Sequence, residues 1–284
     1  MTLIQAVIAG LIQGLTEFLP VSSSGHLVIY NTLFGQDTGG SLSYTILLHL
    51  ATLLAVCLLY RRDIWQLITE LGGVLQDLFR GRRHFILARR RFLMLAGIAS
   101  IPAVLAGLGV KLLGLDAYLE NPYIVAVCFL ITATLMFFLD RLPRGIHKEN
   151  NAPLASAWIV GIMQAAAILP GLSRSGCTIF GGYLGRLEKE FAIRFAFVLS
   201  VPVILGATLL ETVSFLSGRS VAIIWDLQQG AIMAGGFLTA FVTGMLSIRL
   251  IRLLLRQNRF YVFGYYCLLA AVVALYAGIT RGGI

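Results

Sequence analysis

Charge is scarce in this chain. Asp, Glu, Lys and Arg make up 12% of its 284 residues, against about 25% in a soluble domain, and that shortage excludes a soluble globular protein. Cysteine is nearly absent as well. The four present (Cys57, Cys128, Cys177 and Cys267) lie far apart with no C-x-x-C pair, so neither a disulfide framework nor a zinc site is expected. Acidic residues are the scarcer sign, 13 against 22 Lys and Arg, for a formal net charge of +9. The arginines gather between apolar runs, as the positive-inside rule requires of any membrane protein, so no nucleic-acid partner is inferred. The N-terminus lacks a basic leader, and its apolar run leads into a polar motif instead of a cleavage site, so it reads as fold and not as a signal peptide.

What is present is hydrophobic sequence, 58% of residues with a mean hydropathy of +0.87. Apolar runs of roughly 18 to 22 residues recur along the chain, long enough to span a bilayer as helices. Spans are expected at residues 42–60, 92–113, 122–139, 195–216, 230–250 and 260–278. Two further apolar segments are interrupted before they could cross and return: 3–19 breaks at Pro20 and resumes over 26–34, and 157–169 breaks at Pro170 and resumes over 177–184. Both read as re-entrant hairpins, tolerable at that depth where protein or a water-filled cavity satisfies the broken backbone. A polar turn is expected over 35–41. The loop 61–91 carries eight arginines and is assigned to the cytoplasm. Within it, Ile64, Leu67, Ile68, Leu71, Val74, Leu75 and Leu78 form the stripe of an amphipathic surface helix.

The plan repeats. Gly10-x-x-Gln13 leads to Gly25 over the same separation as Gly161-x-x-Gln164 to Gly176, and Ala51-Thr52-Leu53-Leu54 has a partner in Ala207-Thr208-Leu209-Leu210. Residues 1–150 and 151–284 each hold one hairpin and three spans. An odd number of spans inverts the second half relative to the first, as in many transporters, and brings the hairpin tips together near the midplane. The fold class expected is therefore an all-α polytopic membrane protein with six transmembrane helices and two re-entrant hairpins in an inverted-topology repeat.

The tips carry the polar residues. The first reads QGLTEFLPVSSSGH (Gln13 to His26) and the second QAAAILPGLSRSGCT (Gln164 to Thr178). Ionisable groups in a membrane are costly and point to function; here they are Glu17, His26 and Arg174. Gln13 and Glu17 share one helix face. Helices restarting after Pro20 and Pro170 offer N-termini to an anion. Arg174 presents a planar fork that matches phosphate oxygens. Ser22, Ser23 and Ser24 supply hydroxyls, and His26 can move a proton. Hydroxyl, base, carboxylate and arginine around an anion-binding turn point to phosphoryl transfer. Taken singly, each has a plainer role: a serine cap, a packed histidine, a structural Glu17–Arg174 pair. His49 reads as structural or pathway-lining. The nucleophile stays open among Ser23, for which His26 three residues on would be the adjacent base, His26 itself, and water activated by Glu17. A lipid-phosphate or small-anion transporter with the same architecture is the rival reading.

The two motifs closely resemble those of the bacterial undecaprenyl-diphosphate phosphatase family, which is linked to bacitracin resistance. The resemblance runs over essentially the whole chain. It implies removal of the terminal phosphate of undecaprenyl diphosphate, a polyprenyl diphosphate lipid, to regenerate the carrier for cell-wall (peptidoglycan) synthesis. It implies a multi-pass protein of the inner (cytoplasmic) membrane bilayer with a site reached from the periplasm, and it leaves room for an oligomer. It also implies a divalent cation, Mg²⁺, with Glu17 and more weakly Gln13 as ligands. Gln13 stands where many members carry Glu, and a neutral amide is a poorer ligand for a hard cation. By the same resemblance Ser23, His26, Glu17 and Arg174 are catalytic. Ser22, Ser24, Gly25, Ser173, Ser175, Gly176 and Thr178 are expected to bind substrate.

Overall fold

The computed structural model describes residues 1–34, 42–80, 90–214, 227–256 and 259–281; the expected turn at 35–41 and part of the arginine-rich loop (81–89) lie outside them. The described residues form helices: α1 (Leu3–Phe18), α2 (Ser23–Phe34), α3 (Leu42–Leu59), α4 (Arg61–Phe79), α5 (Arg91–Leu113), the single turn α6 (Asp116–Leu119), α7 (Pro122–Leu139), α8 (Leu154–Ala166), α9 (Arg174–Leu184), α10 (Lys189–Ser214), α11 (Leu227–Arg256) and α12 (Tyr261–Arg281).

Length sorts them. At 1.5 Å per residue the 16 residues of α1 rise about 24 Å and the 13 of α8 about 20 Å, short of the roughly 30 Å hydrocarbon core. With α2 and α9 they make two broken elements. Five helices (α5, α7, α10, α11, α12) are long and apolar enough to cross alone. The sixth expected span, α3, ends at a bend of 91° into α4. Helix α4 buries none of its residues fully. Ile64 and Leu67 pack on the core while Trp65, Ile68, Leu71, Leu75 and Leu78 stay exposed, which is how a helix lying on a membrane surface distributes its apolar side chains.

Boundaries depart from expectation where caps decide them. The second arms of the broken elements begin three residues early, at Ser23 and Arg174, because Ser22 and Ser173 precede them and Ser173 accepts the Gly176 N–H at 3.1 Å. This places Ser23 and Arg174 in first helical turns. Helix α10 starts at Lys189, six residues before the apolar run, because polar residues extend a helix past the hydrocarbon without penalty.

Small residues set the packing. Gly10 and Gly14 of α1 lie against the Gly236, Ala240 and Gly244 backbone of α11, where a β-carbon on Gly10 would come within 2.4 Å of the Gly236 carbonyl oxygen. On α8, Gly161 meets the Ala99 carbonyl of α5 in the same way. Such close backbone approach drives helix association in lipid, where apolar burial contributes little. Packing partners exchange when α1, α2, α3, α5 and α7 are replaced by α8, α9, α10, α11 and α12. Thus α1–α11 corresponds to α8–α5, α3–α11 to α10–α5 and α2–α12 to α9–α7, while α3–α10 and α7–α12 map onto themselves. The exchange is incomplete, since α9 packs on α10 more extensively than α2 does on α3.

Candidate active site

The two breaks touch. After α1 the chain passes Pro20 and Val21 to Ser22, which adopts φ 65°, a left-handed conformation that costs a non-glycine residue about 1–3 kcal/mol and clusters at functional sites. That twist aims the Ser22 hydroxyl across the molecule, where it accepts the Gly171 N–H at 3.1 Å and the Gly25 N–H at 3.4 Å. In return Ser175 donates to the Leu19 carbonyl at 3.0 Å. Gly171 itself has φ 95°, and a β-carbon there would lie 2.5 Å from the Val125 carbonyl oxygen. Thr132 of α7 donates to the Gly171 carbonyl at 2.9 Å and accepts the Ser173 N–H at 3.2 Å. The two motifs, some 150 residues apart in sequence, are thereby one polar unit inside an apolar bundle.

At its centre is Glu17, whose side chain is 4% exposed. One carboxylate oxygen accepts from Arg174. The other accepts from Ser23 Oγ at 2.5 Å and from Gln13 Nε2 at 2.9 Å. A buried ion pair is a poor way to gain stability, because desolvation offsets most of the attraction; one placed at a cavity wall is better explained by chemistry. The cavity holds about 250 Å³, walled on its polar side by Glu17, Ser22, Ser23, Ser24, Ser173 and Arg174. Ile168, Leu172, Val203 and Ile204 form the apolar side, and His49 and Thr208 complete the wall.

Expected site residues divide accordingly. Ser22, Ser23, Ser24, Ser173, Arg174 and Glu17 face the cavity. Gly25, Ser175, Gly176 and Thr178 are off it and build its frame. Gly25 crosses over Gly171, where a β-carbon would lie 2.8 Å from Gly171 Cα. Ser175 ties the tips, Gly176 donates to the Ser173 cap, and Thr178 bonds back to the Arg174 carbonyl at 2.8 Å. Gln13 sits behind Glu17, fully buried, with its Oε1 unpartnered among the described residues.

His26 departs most from expectation. The structure does not bring it to Ser23. Its Nδ1 lies 2.7 Å from the Ser22 carbonyl oxygen and its Nε2 2.8 Å from the Tyr266 hydroxyl, and its ring stacks on Tyr266 with the edge of Phe129 against it. A carbonyl only accepts, so Nδ1 carries a proton and donates to Ser22, while Nε2 shares a hydrogen bond with the Tyr266 hydroxyl. The cause is local: α2 begins at Ser23, so His26 completes the first turn and bonds back to Ser22. Tyr266, from α12, has no sequence signal, being one apolar-span tyrosine among several. His49 could be singled out as an ionisable group within a span. Its Nδ1 faces the Thr45 carbonyl at 2.9 Å and is therefore a protonated nitrogen.

The model of the family described as bacitracin resistance protein BacA matches residues 6–273. The undecaprenyl-diphosphatase of Desulfosudis oleivorans is 37% identical over 280 residues, covering 97% of this chain and 98% of its own. That of Methanobrevibacter smithii is 35% identical over 285 residues, 99% of each chain. That of Thermosipho africanus is 35% identical over 276 residues, 96% of this chain and 99% of its own.

Proposed function

The chain belongs to the bacitracin resistance protein BacA family, and on that premise we propose how its buried serine, carboxylate and arginine carry out the family's chemistry. It is a membrane phosphatase that hydrolyses undecaprenyl diphosphate to undecaprenyl phosphate and inorganic phosphate. The observation that carries the mechanism is the contact of Ser23 Oγ with Glu17, 2.5 Å, beside Arg174 on the same carboxylate.

In the resting site Arg174 neutralises Glu17. An incoming diphosphate competes for the guanidinium fork, which binds phosphate oxygens in two parallel bonds, and the positive N-terminal ends of α2 and α9 favour the same anion. Once Arg174 turns to the substrate, a buried carboxylate is left without its counter-charge. Accepting the Ser23 proton relieves it, and the resulting alkoxide attacks the terminal phosphorus. The bond from that phosphorus to the bridging oxygen breaks, and undecaprenyl phosphate leaves with the electron pair. It needs no general acid, since its phosphate is a stable anion at neutral pH. Water then attacks the phosphoserine, inorganic phosphate departs, and Glu17 returns its proton to Ser23. Arg174 and the helix N-termini hold the charge that accumulates on the transferring group. His26 acts through its backbone anchor on Ser22 and not as the base.

A divalent cation such as Mg²⁺ fits this donor set sparingly: Glu17 and the unpartnered Gln13 Oε1 would hold it with oxygens of the substrate. When bound it would neutralise phosphate charge.

The paired packing supports an inverted repeat of residues 1–150 and 151–284. The arginines opening α4 and closing α11 agree with a cytoplasmic assignment under the positive-inside rule, and the reading proposed here is an inner-membrane protein whose active site is reached from the periplasm. The transport reading is not favoured. Transport alone gives no reason to hold a serine hydroxyl on a buried carboxylate, and the relatives that match end to end are diphosphatases. The test is phosphate release by purified protein from undecaprenyl diphosphate in detergent, with and without chelator. Folded protein that binds the lipid and releases no phosphate under either condition refutes the reading.

A further inference from the structure

A second, larger cavity of about 740 Å³ lies at the basic end of the molecule. It shares two walls with the active site. Helix α3 contributes His49 to the active site and Leu59, ten residues on, to this cavity; helix α10 contributes Ile204 to the first and Arg194, ten residues earlier, to the second. At 1.5 Å per residue the two cavities stand about 15 Å apart along one antiparallel seam. Phe197, buried between them, packs its ring 5.9 Å from Phe18 and 5.8 Å from Tyr60. They are therefore separate sites.

The lining is cationic. Arg61, Arg62, Lys189, Arg194 and Arg252 face it, against the carboxylates Asp63 and Glu190. Arg194 is already matched, bonding both Asp63 and Glu149. Arg252 is held differently. Its guanidinium lies over the Tyr60 ring at 4.4 Å and its Nε donates to the Tyr60 hydroxyl at 3.2 Å, which leaves its two terminal nitrogens without a partner among the described residues. A guanidinium held over a tyrosine ring and bonded to its hydroxyl, with its terminal nitrogens unused among the described residues, is preorganised for an oxyanion. Arg61 and Arg62 open α4, whose N-terminus has no side-chain cap, and so add first-turn N–H groups on the same side.

The surroundings select the form of the anion. Leu58 and Leu253, the sequence neighbours of the lining residues Leu59 and Arg252, are exposed. An occupant with its phosphate among the arginines would lay acyl chains along them. We propose that this cavity, bounded by α3, α4, α10 and α11, binds the phosphate headgroup of an anionic phospholipid from the leaflet at the basic end of the protein.

Native mass spectrometry of the full-length protein, titrated with phosphatidylglycerol and with phosphatidylcholine of matched chains, tests this. Phosphatidylglycerol should be retained about tenfold better, and each arginine removed should weaken it about fivefold. The variant Arg62→Gln/Arg252→Gln should therefore lose about 25-fold in phosphatidylglycerol affinity, with phosphatidylcholine unchanged and undecaprenyl diphosphate hydrolysis in detergent retained. Should that variant fail to fold, Arg61→Gln alone, at an exposed position, should show the fivefold step. Equal binding of the two lipids, or unchanged phosphatidylglycerol binding in the variants, overturns the proposal. Displacement of the lipid by millimolar inorganic phosphate also overturns it, since the site would then read a free anion.

Discussion

Glu17→Gln separates a catalytic carboxylate from a structural one. Glu17 accepts from three donors, Arg174, Gln13 Nε2 and Ser23 Oγ. Glutamine has nearly the same shape but a single acceptor oxygen, so its NH₂ must face at least one of those donors, and Arg174 loses its counter-charge. Breaking a buried pair by removing one partner costs about 3–5 kcal/mol. The lower end applies here, because the Arg174 side chain is 21% exposed and water can reach it. The chemical cost is separate. Without a carboxylate Ser23 has no base, and loss of general-base catalysis lowers kcat by about 10²–10⁴. KM should stay level or fall, since Arg174 no longer has to be won from Glu17. Adding Arg174→Gln should recover part of the stability, by a coupling of about 0.5–3 kcal/mol, and none of the activity. Steady-state phosphate release and thermal unfolding of the wild type, the two single variants Glu17→Gln and Arg174→Gln, and the double variant read both effects. A Glu17→Gln enzyme with kcat within tenfold of wild type would refute the assignment of Glu17 as base and leave it a structural ion pair.

Other substitutions follow from the same geometry. Arg174→Lys keeps the charge but loses the fork, and should cost about 10² or more in kcat; wild-type turnover would mean that charge alone suffices. Tyr266→Phe removes one hydrogen bond to His26 away from the cavity, so stability should fall by about 1 kcal/mol and kcat by less than tenfold, whereas a collapse of kcat would make His26 the base after all. Gly171→Ala places a methyl group against the Val125 carbonyl at a φ of 95° and should destabilise by at least about 1–3 kcal/mol, read as a lowered unfolding temperature. A cysteine at position 70 should be shielded in intact cells and one at position 118 labelled from outside; both on one side would contradict the topology.

Much of the fold is legible because lipid imposes a simple rule: a long apolar run must be a helix. Hence five spans and the short helices α1 and α8 appear near their expected places, as does the bend into α4, where charge begins at Arg61. Helix starts were less legible, since caps such as Ser22 and Ser173 act one residue at a time. In the site, the meeting of Glu17 with Arg174 could be read from two buried opposite charges in matching motifs. The partner of Ser23 could not. Spacing favours His26, three residues on, but the left-handed turn at Ser22 swings Ser23 back to Glu17, six residues earlier, and sends His26 to Tyr266, 240 residues away. No local pattern encodes a contact of that separation.

The central claim is that Ser23 takes the phosphoryl group while Glu17 holds its proton. Rapid acid quench of the enzyme during turnover of undecaprenyl diphosphate labelled in its terminal phosphate, followed by peptide mapping, tests it most directly. Acid-stable phosphate on Ser23, absent in Ser23→Ala protein that no longer turns over, is the predicted result. Acid-labile phosphate on His26, or substantial turnover by Ser23→Ala protein, would contradict it.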